Sequence, residues 1–174
     1  MDGAIQDERY ARAAGEYGPA LGRLARAYEA DPDTRTDLLQ EIHLALWRSM
    51  AAFDGRCSLR TWVYRVAHNA AASHVLKRRR ARAGAMVGLE DLDLSDGTPN
   101  PEQALGEHQA LQRLMAMIRA LKPPDAQVML LYLEDLDAGA IGEVTGLSAG
   151  AVATKIHRIK SLLAKRFQDR GASP

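Results

Sequence analysis

The feature that most limits the fold is an interruption. Residues 85–105, AMVGLEDLDLSDGTPNPEQAL, mix Gly, Pro, Asp and Ser without sustained periodicity, while the sequence on either side is patterned for helix. That composition belongs to a linker. It divides the chain into a first domain at 1–82, a connecting segment at 83–107 and a second domain at 108–174. Aromatic residues make up only 5% of the chain, and Ala, Leu and Arg dominate. Local preference therefore leans to helix and excludes an all-β sandwich. The expected class is all-α: two small helical domains joined by a flexible acidic linker, the second a helix-turn-helix domain.

Before the linker, periodicity predicts helices over residues 7–30, 35–52 and 59–80. The first stops at Asp31 because Pro32 disfavours helix in the residue before it. In the second, Leu38, Ile42, Ala45, Leu46, Ser49 and Phe53 share a face, yet Leu44 and Trp47 fall outside it, more apolar surface than one core needs. Residues 53–58 have turn chemistry, with Ser58 as N-cap of the third helix. On that helix Trp62, Val66, Asn69, Ser73 and Leu76 align as the main apolar face, flanked by Val63, Ala67 and Ala70, and Trp62 reads first as a core residue. After the linker, Leu111, Leu114, Met115, Ile118 and Leu121 form a stripe ending before Pro123 and Pro124, and helix resumes over 125–133. Then Asp137 caps a short helix, Gly146 turns the chain and Ser148 caps a longer helix, which is helix-turn-helix grammar. Val152, Ile156, Ile159, Leu163 and Phe167 make its buried stripe; opposite it sit Ala153, Thr154, His157 and Arg158, flanked by Lys155 and Lys165.

A net charge of +1 hides a strong asymmetry. Residues 48–82 hold nine basic side chains against Asp54 alone, residues 151–174 hold six against Asp169, and residues 81–108 hold one against six acidic ones. Two basic patches flank an acidic middle, which is expected to shield them electrostatically in the free chain. The last helix presents Thr, Lys, His and Arg as a major groove accepts them. The helix over 59–80 ends in Lys77, Arg78, Arg79 and Arg80 and also carries Trp62, Tyr64, Arg65, His68, Asn69 and His74, a combination pointing to single-stranded or locally opened DNA.

Catalysis finds no support. The five histidines form no i,i+4 pair, and neither a glycine-rich phosphate loop nor a nucleophile elbow is present. Cys57 is the single cysteine, so an internal disulfide and a cysteine zinc site are excluded. The expectation is a non-enzyme without metal or cofactor, cytoplasmic, and making no membrane contact itself.

Two stretches resemble one known family. DLLQEIHLALWRSMAAFDGRCSLRTWVYRVAHNAAASHVLKRRR is similar to region 2, and LKPPDAQVMLLYLEDLDAGAIGEVTGLSAGAVATKIHRIKSLLAKRF to region 4, of the extracytoplasmic-function (ECF) group of bacterial sigma factors. The resemblance implies a subunit that binds core RNA polymerase and directs promoter recognition, DNA opening and initiation. It implies that Gln40, Glu41, Leu44, Trp47 and Arg48 meet the β′ clamp helices, and that the second domain meets the β flap. Phe53, Asp54, Gly55 and Arg56 would form the loop that captures a flipped minus-ten base. Trp62, Arg65 and Asn69 would support strand opening, with Lys77, Arg78, Arg79 and Arg80 on phosphates. Thr154, Lys155, His157 and Arg158 would read the minus-35 element. An anti-sigma factor is the further partner the family implies, and Gly142 replaces the alanine usual at the helix-turn-helix crossing. The competing expectation is a stand-alone helix-turn-helix transcriptional regulator.

Overall fold

The computed structural model describes residues 2–85 and 104–171, all helix and short connections. Seven α-helices follow in order: α1 (Asp2–Tyr28), α2 (Pro32–Ser49), α3 (Leu59–Ala85), α4 (Ala104–Arg119), α5 (Pro123–Leu133), α6 (Ala138–Thr145) and α7 (Ala149–Gly171), with one 3-10 turn at Met50–Ala52. Among the described residues there is no strand, so the chain is all-α as expected. The core of the linker, 86–103, and with it the expected electrostatic shield, lies outside the described residues.

The local signals behave as the physics of helix ends requires. Asp31 is the N-cap of α2, accepting from the Thr34 amide at 2.9 Å, and Pro32 occupies the first turn, where its missing N–H costs nothing. Helix α1 accordingly ends at Tyr28, two residues before the predicted stop. Ser58 accepts from the Thr61 amide, Asp137 from the Ala140 amide and Ser148 from the Ala151 amide. Gly146 adopts φ +79 at the end of α6, a left-handed geometry that glycine takes without Cβ strain.

Three apolar clusters hold the molecule. The first joins α1, α2 and α3 through Leu21, Leu24, Leu38, Ile42, Leu46, Met50, Val63 and Ala67. The other two cross between the halves. One sets Ala20 and Tyr64 against Val128, Leu131, Ile141 and Val152. The other sets Ala27 against Ile118, Leu121, Leu130, Ile159 and Leu163. The halves therefore pack directly on each other, with α1 contributing to every cluster.

Three predicted stripes need correction. On α3 the buried positions are Thr61, Val63, Tyr64, Ala67, His68, Ala71 and His74, whereas Asn69, Ser73 and Leu76 are exposed. The helix is packed from two sides, by the first cluster and by the second half, so its buried arc is wider than the predicted stripe and rotated from it. In this arrangement Tyr64, His68 and His74 are covered by protein. At the outer ends of the second half, Phe167 on α7 is 43% exposed and Leu111 on α4 52%, because no described helix reaches that far to cover them.

Candidate nucleic-acid and polymerase interface

Helix α2 divides its side chains cleanly. Leu38, Ile42 and Leu46 are fully buried, while Gln40, Glu41, Leu44, Trp47 and Arg48 all lie on the exposed side. Leu44 and Trp47 keep 47% and 38% of their surface in water, an apolar patch with charged neighbours. Trp47 is fixed rather than loose: its indole Nε1 donates to Asp7 Oδ1 at 2.8 Å. Glu41 is oriented from behind by His74, whose Nδ1 lies 3.2 Å from the carboxylate.

The turn between α2 and α3 is built by its own side chains. The Asp54 carboxylate accepts from the Arg56 amide at 3.1 Å and pairs with the Arg56 guanidinium at 2.6 Å; that amide bond, then the guanidinium charge, holds the carboxyl below its usual pKa. Gly55 takes φ +78, which closes the turn. Phe53 packs on Trp62 with ring centroids 5.4 Å apart, and Trp62 Nε1 donates to Ser49 Oγ at 3.0 Å. Trp62 is half-buried against the first cluster, so one side of its ring is structural.

Along α3, the structure separates residues that the sequence groups together. Asn69, Lys77, Arg79 and Arg80 are exposed. Arg78 is instead held by Glu29 at 2.5 Å, a carboxylate that is itself buried. Arg65 donates to the backbone oxygen of Glu143 in the second half, and its neighbour Thr61 donates to the Glu143 carboxylate at 3.0 Å.

The last helix exposes Ala153, Thr154, His157 and Arg158 on one side and buries Val152, Ile159 and Leu163 on the other. Thr154 Oγ1 donates back to the Gly150 carbonyl at 3.0 Å. Lys155 is bonded to Asp125, whose second oxygen lies 3.6 Å from Arg158. One carboxylate on α5 thus holds two cations of α7. The sequence reading missed Asp125, Glu134, Glu143 and the pairing of His74 with Glu41. Each works across a helix interface, and the sequence around Glu134 and Glu143 carries no cation that would point to the pairing. Among the described residues, no group of three or more His, Cys, Asp or Glu side chains is arranged to hold a metal, and no helix is long and apolar enough to cross a membrane.

Comparison with known proteins follows the same division. Residues 14–81 match the family described as Sigma-70 region 2, and residues 111–163 match Sigma-70, region 4. The ECF RNA polymerase sigma factor SigW of Bacillus subtilis is 28% identical over 156 residues, covering 84% of this chain and 79% of its own. RNA polymerase sigma factor NccH of Alcaligenes xylosoxydans xylosoxydans is 24% identical over 171 residues, covering 95% and 91%. ECF RNA polymerase sigma factor SigE of Mycolicibacterium smegmatis is 30% identical, over 91% of this chain and 63% of its own. Among solved structures, CnrH in complex with the cytosolic domain of CnrY superposes with a TM-score of 0.66 at 18% identity, covering 97% of both chains. The sigma factor RpoE in complex with the anti-sigma factor NepR, from Bartonella quintana, gives 0.66 at 17% identity, covering 91% and 96%. At those identities the structural likeness speaks for the fold.

Proposed function

The chain belongs to the ECF group of sigma-70 family sigma factors, and from that premise we propose how its residues divide the work of promoter recognition. As such a factor it binds core RNA polymerase and directs it to promoters for recognition, opening and initiation. The observation that carries this function is the order of the two family segments, region 2 at 14–81 and region 4 at 111–163. A stand-alone helix-turn-helix regulator would leave the first of these unexplained.

In this reading Gln40, Glu41, Leu44, Trp47 and Arg48 form the face that docks on the β′ clamp helices. Its support is the exposure of all five beside a fully buried opposite face. An apolar anchor within a charged rim is the usual anatomy of a binding hot spot. The turn of Phe53, Asp54, Gly55 and Arg56 takes the flipped minus-ten base. Its Asp54 and Arg56 are already braced against each other, so less ordering remains to be done on binding. Trp62, Arg65 and Asn69 line the path of the opened strand, and Lys77, Arg79 and Arg80 hold phosphates; Arg78, tied to Glu29, supports the helix as well. Thr154, Lys155, His157 and Arg158 approach the minus-35 duplex, and the remainder of the second half meets the β flap. The factor hydrolyses nothing: free energy from base capture, phosphate contacts and polymerase docking offsets the few kcal/mol that flipping a base costs. The chain acts in the cytoplasm, where an anti-sigma factor is its regulatory partner, as NepR is for RpoE.

Reconstitution tests the reading. Purified chain plus core polymerase is expected to co-elute as a holoenzyme and to give transcripts with defined starts. Failure to form a holoenzyme would overturn it.

A further inference from the structure

The stretch that matches region 2 begins at residue 14, yet the turns of α1 before it touch both proposed working surfaces of that half. Neighbouring side chains make the contacts. Gln6 Nε2 donates to the Trp47 carbonyl, and Asp7 Oδ1 accepts from the Trp47 indole, each at 2.8 Å. Arg9 Nη1 donates to the Met50 carbonyl at 3.3 Å and to the Phe53 carbonyl at 3.0 Å. The Tyr10 hydroxyl lies 3.0 Å from His43 Nδ1, with the two rings edge to face at 6.1 Å. These partners lie 33 to 44 residues further along the chain, so the contacts are tertiary.

The chemistry of helix ends explains Arg9. The last carbonyls of a helix have no partner further along it, and a cation placed there satisfies them and suits the negative end of the dipole. After α2 the chain passes through the 3-10 turn and leaves at Phe53 in an extended conformation, φ −71 and ψ 110. Phe53 opens the proposed base-capture turn, and its carbonyl belongs to the peptide that leads to Asp54. By bonding that carbonyl together with the one at Met50, Arg9 fixes the plane of this peptide and so the direction in which the turn sets out. The pair of Asp54 and Arg56 shapes the interior and the Ser58 cap fixes the exit, whereas the entry depends on α1. On the other surface, Asp7 satisfies the indole N–H of Trp47 and holds the ring in one orientation, so less rotamer freedom is lost when a partner covers it. We propose that the first turns of α1 are a positioning element of the promoter reader: Arg9 sets the base-capture turn, and Asp7 presents Trp47 to polymerase. Both act through the residue they hold. The inference deepens the roles proposed for Trp47 and for the turn, and it rests on them.

The test uses the full-length chain with core polymerase and a promoter defined by the starts that the parent holoenzyme maps. Holoenzyme affinity is titrated with labelled core, and initiation is measured as run-off transcript at saturating factor. Arg9→Gln is expected to bind polymerase within about twofold of the parent and to initiate about fivefold less from the duplex promoter, the order of effect of losing exposed charge-assisted hydrogen bonds. On the same template with mismatches across the minus-ten element that deficit is expected to shrink to within about twofold, because no pairing is left to break. Asp7→Ala is expected to do the reverse, weakening polymerase binding about fivefold while initiation at saturation stays at the parent level. Arg12→Gln removes an exposed cation from the same helix and is expected to match the parent throughout, which separates the Arg9 effect from net charge. Parent-like values for both Arg9→Gln and Asp7→Ala would overturn the positioning role. So would equal losses of affinity and initiation in each variant, as a folding defect gives, an Arg9→Gln deficit that persists on the mismatched template, or an equal deficit in Arg12→Gln. A parent chain that forms no holoenzyme would instead overturn the sigma reading itself.

Discussion

A Cβ built on Gly142 would stand 2.6 Å from the backbone carbonyl oxygen of Leu147, nearer than side-chain carbons approach such atoms. The obstacle is backbone in the turn that leads into α7, so it has little freedom to yield. Helix propensity alone favours alanine at this position by up to about 1 kcal/mol. Overpacking against fixed atoms costs about 1–3 kcal/mol. Gly142→Ala is therefore expected to lower stability by about 1 kcal/mol in urea unfolding. Gly150→Ala, in open space on α7, is expected to raise it by about 0.5 kcal/mol. Equal shifts of one sign for the two variants would refute the steric account.

Asp125 restrains two cations of α7 at once. Asp125→Asn removes the charge while keeping the shape, leaving Lys155 and Arg158 free for phosphates. Binding of the chain to a scrambled duplex is expected to tighten, and the slope of log affinity against log salt to steepen by about 1. Anisotropy titrations across a potassium chloride series measure both. An unchanged slope would mean that Asp125 does not restrain these cations.

His68 is 2% exposed, with Nδ1 2.9 Å from the Tyr28 hydroxyl, and burial lowers its pKa from 6.5 to about 3. Below pH 6.5 the unfolded chain takes up a proton that the folded chain refuses. Stability from this group is thus level above pH 6.5 and falls as the pH drops from 6.5 towards about 3. The expected loss is about 1.4 kcal/mol per pH unit within that window, or about 2 kcal/mol at pH 5. His68→Gln keeps a hydrogen-bonding side chain that does not titrate, and its unfolding free energy should show a shallower dependence between pH 7 and 5. Parallel curves would exclude His68 as the source.

Leu44 and Leu46 are neighbours on α2 with opposite environments, 47% and 0% exposed. Leu46→Ala is expected to cost about 3 kcal/mol of stability by leaving a cavity. Leu44→Ala is expected to change stability by less than about 0.5 kcal/mol and yet to weaken holoenzyme formation at least tenfold. Thermal melts and titration against labelled core polymerase separate the two effects. Polymerase affinity left intact by Leu44→Ala would remove this face from the interface.

Much of this molecule could be read before its structure. The capping residues Asp31, Ser58, Asp137 and Ser148 and the turn at Gly146 act within a few residues of themselves, so local chemistry is enough to place them. The surplus apolar pair Leu44 and Trp47 stood out because one helix face was already accounted for. The buried arc of α3 was misjudged because a single period describes a helix packed from one side, and Tyr64 faces a partner cluster far along the chain. The same distance hid the roles of Glu134 and Glu143. An acidic side chain on a helix surface looks solvated until the element across from it is known, and nothing near either residue in sequence names Arg23 or Thr61 as its partner.

Helix α1 supplies Leu21 and Leu24 to one apolar cluster, Ala20 to the second and Ala27 to the third. The two halves of this promoter reader therefore share their apolar packing in this arrangement. Cutting the chain within 86–103 and expressing the second piece alone would strip Val128, Leu131, Ile118 and Leu163 of a wall that only the first piece provides. Heat or denaturant should accordingly melt the intact chain as a single cooperative unit, with one helix serving as the keel of both compartments.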